Sequence, residues 1–283
     1  MGSSGGRAIT VGVLALQGAF NEHTQLLRQA AHSLAIRDTG HRIWEFLEVR
    51  TVAQLDRCDA LIIPGGESTA ISLVAERSKL LEPLRDFVKK SRKPTWGTCA
   101  GLILLAESAN RTKQGGQELI GGLDVRVNRN HFGRQIESFE ANLDLPFLQA
   151  DAQQDCDKDM APFRAIFIRA PIVEKLLPSA SGAQEGEAKL KDTVVAPSRQ
   201  IDEKVHDLDL DAGVQVLATL PGRSAAIRDD ATKERLDREA GDIVAVRQAN
   251  VFGTSFHPEL TGDPRLHVWW LEQVAKAVDA SHS

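Results

Sequence analysis

Cys99 lies at the centre of Gly97-Thr98-Cys99-Ala100-Gly101, a G-x-C-x-G between an apolar strand-like run and an apolar helix-like run. A sharp strand-to-helix turn strains its central residue, and glycines on either side relieve the crowding; this is the pattern of a nucleophile elbow. The helix N-terminus that follows offers unpaired N–H groups and a positive dipole, both favouring a thiolate. The alternative is a small cysteine packed inertly in a core, which is the expectation for Cys58 and Cys156. A thiol nucleophile needs a base, and the base needs an orienting acceptor. Phe256-His257-Pro258-Glu259 supplies both. In an extended segment residues i and i+2 point the same way, so Glu259 can reach one ring nitrogen of His257 while the other faces the thiol. The remaining histidines have no comparable company in the sequence. Acyl transfer also needs oxyanion donors. Ala100 N–H, next after the nucleophile, is one. The loop Pro64-Gly65-Gly66-Glu67-Ser68-Thr69 is a candidate source of the second, because paired glycines let the backbone approach a substrate closely. An N-cap by Ser68 or Thr69 is compatible with that role, and the absence of GK[ST] excludes a phosphate loop.

These groups need elements to hold them. Thr10–Leu16, Ile43–Val49, Asp59–Ile63 and Pro94–Thr98 are short, apolar or loosely alternating runs that predict strands. Between them, Leu26, Leu27, Ala30, Ala31 and Leu34 mark one helix, and helical patterns cover Thr69–Arg77, Leu80–Lys90 and Ala100–Ala106. Alternating strands and helices imply βαβ units and a mostly parallel sheet with helices on both faces. In the second half Leu123–Asn128, Gln135–Phe139, Ala165–Ile168, Val214–Leu220, Ile243–Arg247 and Val251–Phe256 read as strands extending that sheet, before a last helix over Leu266–Val278. Residues 1–7 read as a flexible leader. Ala150–Asp159, Ser179–Ala212 and Pro221–Asp242 are polar, aperiodic or densely charged, and read as surface insertions in one domain spanning 1–283.

Composition excludes several classes. Tyrosine is absent and aromatics are 5%, too few for a base-stacking surface, and a net charge of −5 argues against nucleic acid. Three widely spaced cysteines without a CxxC support neither a disulfide framework nor a structural zinc site. No apolar run approaches the ~18 residues of a membrane span, so a cytoplasmic protein is expected. No metal or cofactor is called for, since hydrolysis needs no redox partner.

Taken together, GTCAG, HPE and the PGGEST loop resemble the triad-type glutamine amidotransferases. Leu14–His23 (LALQGAFNEH), Ile62–Thr69 (IIPGGEST), Gly97–Ala106, Asn128–Ala141 (NRNHFGRQIESFEA), Phe167–Pro171 (FIRAP) and Gly253–Asp263 (GTSFHPELTGD) are similar to the glutaminase subunits of pyridoxal 5′-phosphate synthases. The resemblance implies a flavodoxin-like three-layer α/β sandwich, with antiparallel strands added to its sheet. It implies Cys99 as nucleophile, His257 as base and Glu259 as its orienting partner. Gly66, Glu67, Ser68, Arg129, Ile168 and Arg169 match the family's glutamine-binding positions, and an arginine suits an α-carboxylate, which a guanidinium clamps bidentately. It further implies L-glutamine as substrate, and as partner a barrel-shaped synthase subunit that consumes the ammonia and activates the glutaminase on docking, with Gln17-Gly18 an element of that switch. Few residues follow Glu259, so the ammonia acceptor is expected on another chain. A non-catalytic relative, or another elbow-cysteine hydrolase of the same fold, are the competing readings.

Overall fold

The computed structural model describes residues 7–37, 42–110, 117–129, 138–150, 161–179, 184–199, 213–220 and 242–281. Residues 1–6, nearly all of Ala150–Asp159, most of Pro221–Asp242, and Cys156 lie outside them.

The first half alternates as predicted: β1 (Ile9–Leu14), α1 (Phe20–Arg37), β2 (Trp44–Val49), α2 (Val52–Asp56), β3 (Ala60–Ile63), α3 (Ser68–Arg77), α4 (Leu81–Arg85), β4 (Thr95–Thr98) and α5 (Ala100–Leu105). The helix expected over Leu80–Lys90 is α4 followed by a π-helical turn, Asp86–Lys90. Then come β5 (Ala106–Asn110), β6 (Leu123–Asn128), β7 (Ser138–Leu143), α6 (Phe147–Ala150), β8 (Phe163–Ile168), β9 (Ile172–Leu176), α7 (Glu185–Ala188), β10 (Thr193–Val195), β11 (Gln215–Leu220), β12 (Asp242–Gln248), β13 (Val251–Thr254) and α8 (Arg265–Ala280).

One sheet runs β10-β5-β6-β9-β12-β13-β4-β3-β1-β2, with β11 on β12. The block β13-β4-β3-β1-β2 is parallel, and β12, β9, β10 and β11 are the added antiparallel strands. Within the block, alternate residues face opposite layers. Val11, Val13, Ile62 and Trp96 face Leu27 and Ala30 of α1 and Trp269 to Leu271 of α8, whereas Leu14, Leu61 and Ile63 face Ile71 of α3, Leu84 of α4 and Leu102 of α5. No helix among the described residues is long and apolar enough to cross a membrane.

Two expectations change. Of the strand predicted at Gln135–Phe139 only Ser138 and Phe139 are described; they and Ala165–Ile168 do not extend the large sheet, since β7 and β8 pair antiparallel as a separate two-stranded sheet. Phe139 stacks on Phe167 across the pair (4.6 Å, 4°), and Phe167 continues onto Phe256. That apolar face is buried in the core cluster that also holds Phe256 and Ala218 and Leu220 of β11. Also, the central part of Ser179–Ala212 is not a loop. β10 pairs with β5, Ala196 N–H donates to Glu107 O (2.9 Å), and Lys89 Nζ donates to Pro197 O (2.7 Å).

Candidate active site

The parallel strands β3, β4 and β13 deliver the Pro64–Thr69 loop, Cys99 and the His257–Glu259 pair from their carboxyl ends, where open α/β sheets gather ligands, while Ile168 and Arg169 come from the end of β8 in the small sheet. β4 ends at Thr98 and α5 begins at Ala100, so Cys99 makes the whole turn, with φ 48° and ψ −99°. A non-glycine residue holds a left-handed conformation only where its surroundings impose it. Here Cys99 N–H donates to Thr254 O of β13 (2.8 Å), and Ile103 N–H donates to Cys99 O (3.2 Å). The flanking glycines are needed for close approach: a Cβ on Gly97 would stand 2.5 Å from the Gly101 backbone, and one on Gly101 would stand 2.0 Å from Ile63 O. The thiol is nearly buried and lies 3.9 Å from the carbonyl oxygen of Ile168, at the end of β8.

His257 follows β13, the strand hydrogen-bonded beside β4, and its N–H donates to Ile166 O (2.8 Å). Its Nδ1 is 2.7 Å from Glu259 Oε1. The segment is not extended as the sequence suggested: Pro258–Leu260 is a 3-10 turn, and Pro at its first position curls the chain so that the two side chains still meet. Burial alone would strip the proton from His257, but its hydrogen bonds to Cys99 and Glu259 outweigh burial and raise its pKa to about 10. Glu259 is fully buried, which opposes ionisation, yet the adjacent His23 and the hydrogen-bonded His257 hold its carboxyl below the usual range. Cys58 is the contrast: burial pushes its thiol up to about 12, as an inert core residue requires.

The Pro64–Thr69 loop abuts this pair, since a Cβ on Gly65 would fall 2.3 Å from His257 Cε1. The cap of α3 is Glu67, not Ser68 or Thr69: its carboxylate accepts from Thr69 N–H (3.1 Å) and Ala70 N–H (2.7 Å). Partial burial opposes ionisation of Glu67, and those two bonds outweigh it and lower its pKa. Glu67 N–H in turn donates to Gln17 Oε1 (2.8 Å), which ties the loop to the end of β1. Arg129, just past β6, donates to Ser68 Oγ (2.8 Å) and Thr69 Oγ1 (3.2 Å). Ile168 sits at the thiol through its carbonyl, and Arg169 follows it in a left-handed conformation, φ 44°. Thus Cys99, Ala100, His257, Glu259, Gly66 with its loop, and Ile168 converge, while Glu67, Ser68 and Arg129 form an adjoining hydrogen-bonded cluster.

Sequence reasoning missed the floor of the site. His23 and His267, expected to have no company, are both fully buried, with His23 Nδ1 3.0 Å from His267 Nε2. His23 Nε2 lies 3.2 Å from Thr98 Oγ1 and 3.3 Å from Glu259 Oε2. One signal was available: His23 shares the buried stripe of α1 with Leu26, Leu27 and Ala30, where a polar residue must find a partner.

A thiol on an elbow at the edge of a parallel sheet, faced by an imidazole–carboxylate pair from the neighbouring strand, is the layout of a triad-type glutamine amidotransferase. The chain belongs to the SNO glutamine amidotransferase family, whose profile matches residues 13–201 and 196–276. It is 38% identical over 280 residues to a probable pyridoxal 5′-phosphate synthase subunit PDX2 of Arabidopsis thaliana, covering 97% of this chain and 89% of that one. It is likewise 38% identical to the pyridoxal 5′-phosphate synthase subunit PdxT of Herpetosiphon aurantiacus, covering 93% and 99%. A crystal structure of a glutamine amidotransferase superposes with a TM-score of 0.59 at 33% identity, covering 94% of this chain and 98% of that one.

Proposed function

We infer that this chain is the glutaminase half of a pyridoxal 5′-phosphate synthase: it hydrolyses L-glutamine to L-glutamate and ammonia and passes the ammonia to a synthase subunit in vitamin B6 synthesis. The observation that carries the reading is Cys99 held at φ 48° between β4 and α5, with His257 and Glu259 paired at 2.7 Å on the adjacent strand. Cys99 Sγ, as thiolate, attacks the carboxamide carbon, and the N–H groups of Gly66 and Ala100 receive the oxyanion. The His257 imidazolium, steadied by Glu259, gives its proton to the departing nitrogen, so the C–N bond breaks and a γ-glutamyl thioester remains. His257 then takes a proton from water, whose oxygen displaces the thiolate and yields glutamate.

Arg129, with Ser68 beside it, is suited to the substrate α-carboxylate. Glu67, whose carboxylate caps α3 and whose N–H donates to Gln17, shapes the loop that receives glutamine, and Ile168 and Arg169 border the thiol side. Gln17 fixes the peptide next to Gly66, and so is placed to couple docking of the synthase subunit to formation of the oxyanion site. The finer setting, a single domain working in the cytoplasm, belongs to the same reading. Ammonia release by the complex with the synthase subunit tests it. Cys99→Ala is expected to abolish release while preserving assembly, and the isolated chain is expected to be slower than the complex. Retained activity in Cys99→Ala would overturn the reading.

A further inference from the structure

A line of buried polar groups continues beyond Glu259, on the side away from His257. Glu259 Oε2 has no well-aligned hydrogen-bond donor among the described residues, and its close polar neighbour is His23 Nε2 at 3.3 Å. His23 Nδ1 meets His267 Nε2 at 3.0 Å, and His267 Nδ1 has no partner among the described residues. Trp96 walls the pair, its ring centroid 5.7 Å from that of His23 and 4.9 Å from that of His267. Complete burial pushes both imidazoles down to about 3, so each is neutral, with one N–H and one lone pair. These contacts are direct, and no cluster among the described residues is spaced to hold a metal ion.

Neutrality leaves four ways to place two protons. Two of them set lone pair against lone pair, or N–H against N–H, across the 3.0 Å contact. A third, with both protons on Nδ1, turns the His23 Nε2 lone pair toward the Glu259 carboxylate and leaves His267 Nδ1–H a buried donor without an acceptor, a costly arrangement. With both protons on Nε2, His267 donates to His23 Nδ1, His23 Nε2–H is aimed at Thr98 Oγ1 with Glu259 Oε2 3.3 Å away, and the unpartnered imidazole atom is only a bare lone pair.

We propose that His23, held in its Nε2–H form by His267, is a positioning residue for the glutaminase triad: its Nε2–H, hydrogen-bonded to Thr98 Oγ1 and 3.3 Å from Glu259 Oε2, turns the positive end of its dipole to Oε2 and so holds Oε1 on His257. The proposal rests on the reading of Cys99, His257 and Glu259 as that triad. It assigns α1 and α8, the helices beneath the sheet, a part in setting the strength of the base. The titratable groups facing Glu259 are His257 on its own turn and His23 from α1, with His267 of α8 behind His23 and Cys99 across His257. Arg164, the charged residue of the adjacent β8, turns outward to Glu140.

The test is the pH dependence of kcat and KM for glutamine in the complex with the synthase subunit. Without the His23 donor, Glu259 binds its proton more tightly. The acidic limb of His23→Leu should therefore move up by about one pH unit, with kcat down about tenfold and KM little changed. His23→Gln, whose amide nitrogen can occupy the Nε2 position, should bring the limb back. A loss of packing alone would lower activity without moving the limb, so an unmoved limb in His23→Leu overturns the proposal. Nitrogen-15 NMR of the histidines in the unaltered chain needs no variant: His23 and His267 should each show a protonated Nε2 and a bare Nδ1. An Nδ1–H or an imidazolium at His23 near neutral pH would also overturn it. Loss of activity in Cys99→Ala alongside an unmoved limb in His23→Leu removes the positioning role alone, whereas an active Cys99→Ala removes the triad reading itself.

Discussion

His257 keeps its proton against the pull of burial because Cys99 and Glu259 bracket its two ring nitrogens, and its pKa of about 10 measures how far they win. The protonated form is favoured by folding. Its stabilising contribution is therefore complete below the ordinary value of 6.5, and is lost as pH rises through about 10. In the proposed mechanism the same shift keeps imidazolium available to the leaving ammonia. The basic limb of kcat/KM, which reports the unliganded site, should thus lie near pH 10, and Glu259→Gln should draw it toward neutrality while lowering kcat by about 100-fold. A pH–rate profile of ammonia release checks both, and an unshifted limb in Glu259→Gln would count against the pairing. Gly65→Ala probes the same ring sterically. The added carbon would stand 2.3 Å from His257 Cε1, so kcat should fall further than thermal stability does. The three side chains proposed to react were legible as candidates because each sits in a short motif whose spacing implies its contacts. His23 and His267 were not, because 244 residues separate them and only the packing of α1 against α8 brings them together.

The elbow is an element-scale device: strand, turn and helix must pass so closely that two backbones touch. Gly101 in the first turn of α5 rests on the Ile63 carbonyl of β3, and an added Cβ would meet that oxygen at 2.0 Å. Backbone on both sides leaves nothing flexible to yield. Gly101→Ala should therefore push α5 off β3, costing about 3 kcal/mol in urea unfolding and removing activity with it. Gly186→Ala, on α7 with open space around the new carbon, should be neutral or slightly stabilising, and serves as the control. Elements with strong patterns were legible from sequence, down to the bounds of β6. β5 was not: Ala106-Glu107-Ser108-Ala109-Asn110 contains no β-branched or aromatic residue and follows α5 without a turn signal. It is a strand because β6 and β10 flank it. β9 escaped for a related reason, since the charged Glu174 and Lys175 interrupt its apolar residues Ile172, Val173 and Leu176.

At the scale of the molecule, the sheet has a half that carries the proposed triad, β13-β4-β3-β1-β2, and a far half, β10-β5-β6-β9, joined through β12. The far half is secured by buried charge rather than by apolar surface alone. Lys89 of the π-helical turn pairs with Glu107 of β5 at 2.7 Å, and Glu107 Oε1 also accepts from Gly122 N–H (2.8 Å). Glu187 of α7 accepts from Arg126 (2.7 Å), Ser108 (2.8 Å) and Lys175 (3.3 Å), which binds a stretch that reads as a surface insertion onto β5, β6 and β9. Local polarity misled there because those polar side chains satisfy one another within the fold. Burial opposes ionisation of Glu187, but its three donors prevail and lower its pKa below 4.5. Its contribution is consequently present above pH 4.5 and lost as pH falls through the lowered value. Glu187→Ala leaves Arg126 without its best partner and should cost about 3 kcal/mol at neutral pH. The stability gap between variant and parent should close on acidification, in urea titrations run at a series of pH values. Because β6, β9, β12 and β13 stand between β5 and β4, kcat for glutamine should be unchanged in the folded variant. A glutaminase defect in Glu187→Ala without a stability defect would show that the two halves of the sheet communicate, contrary to the layout of their strands.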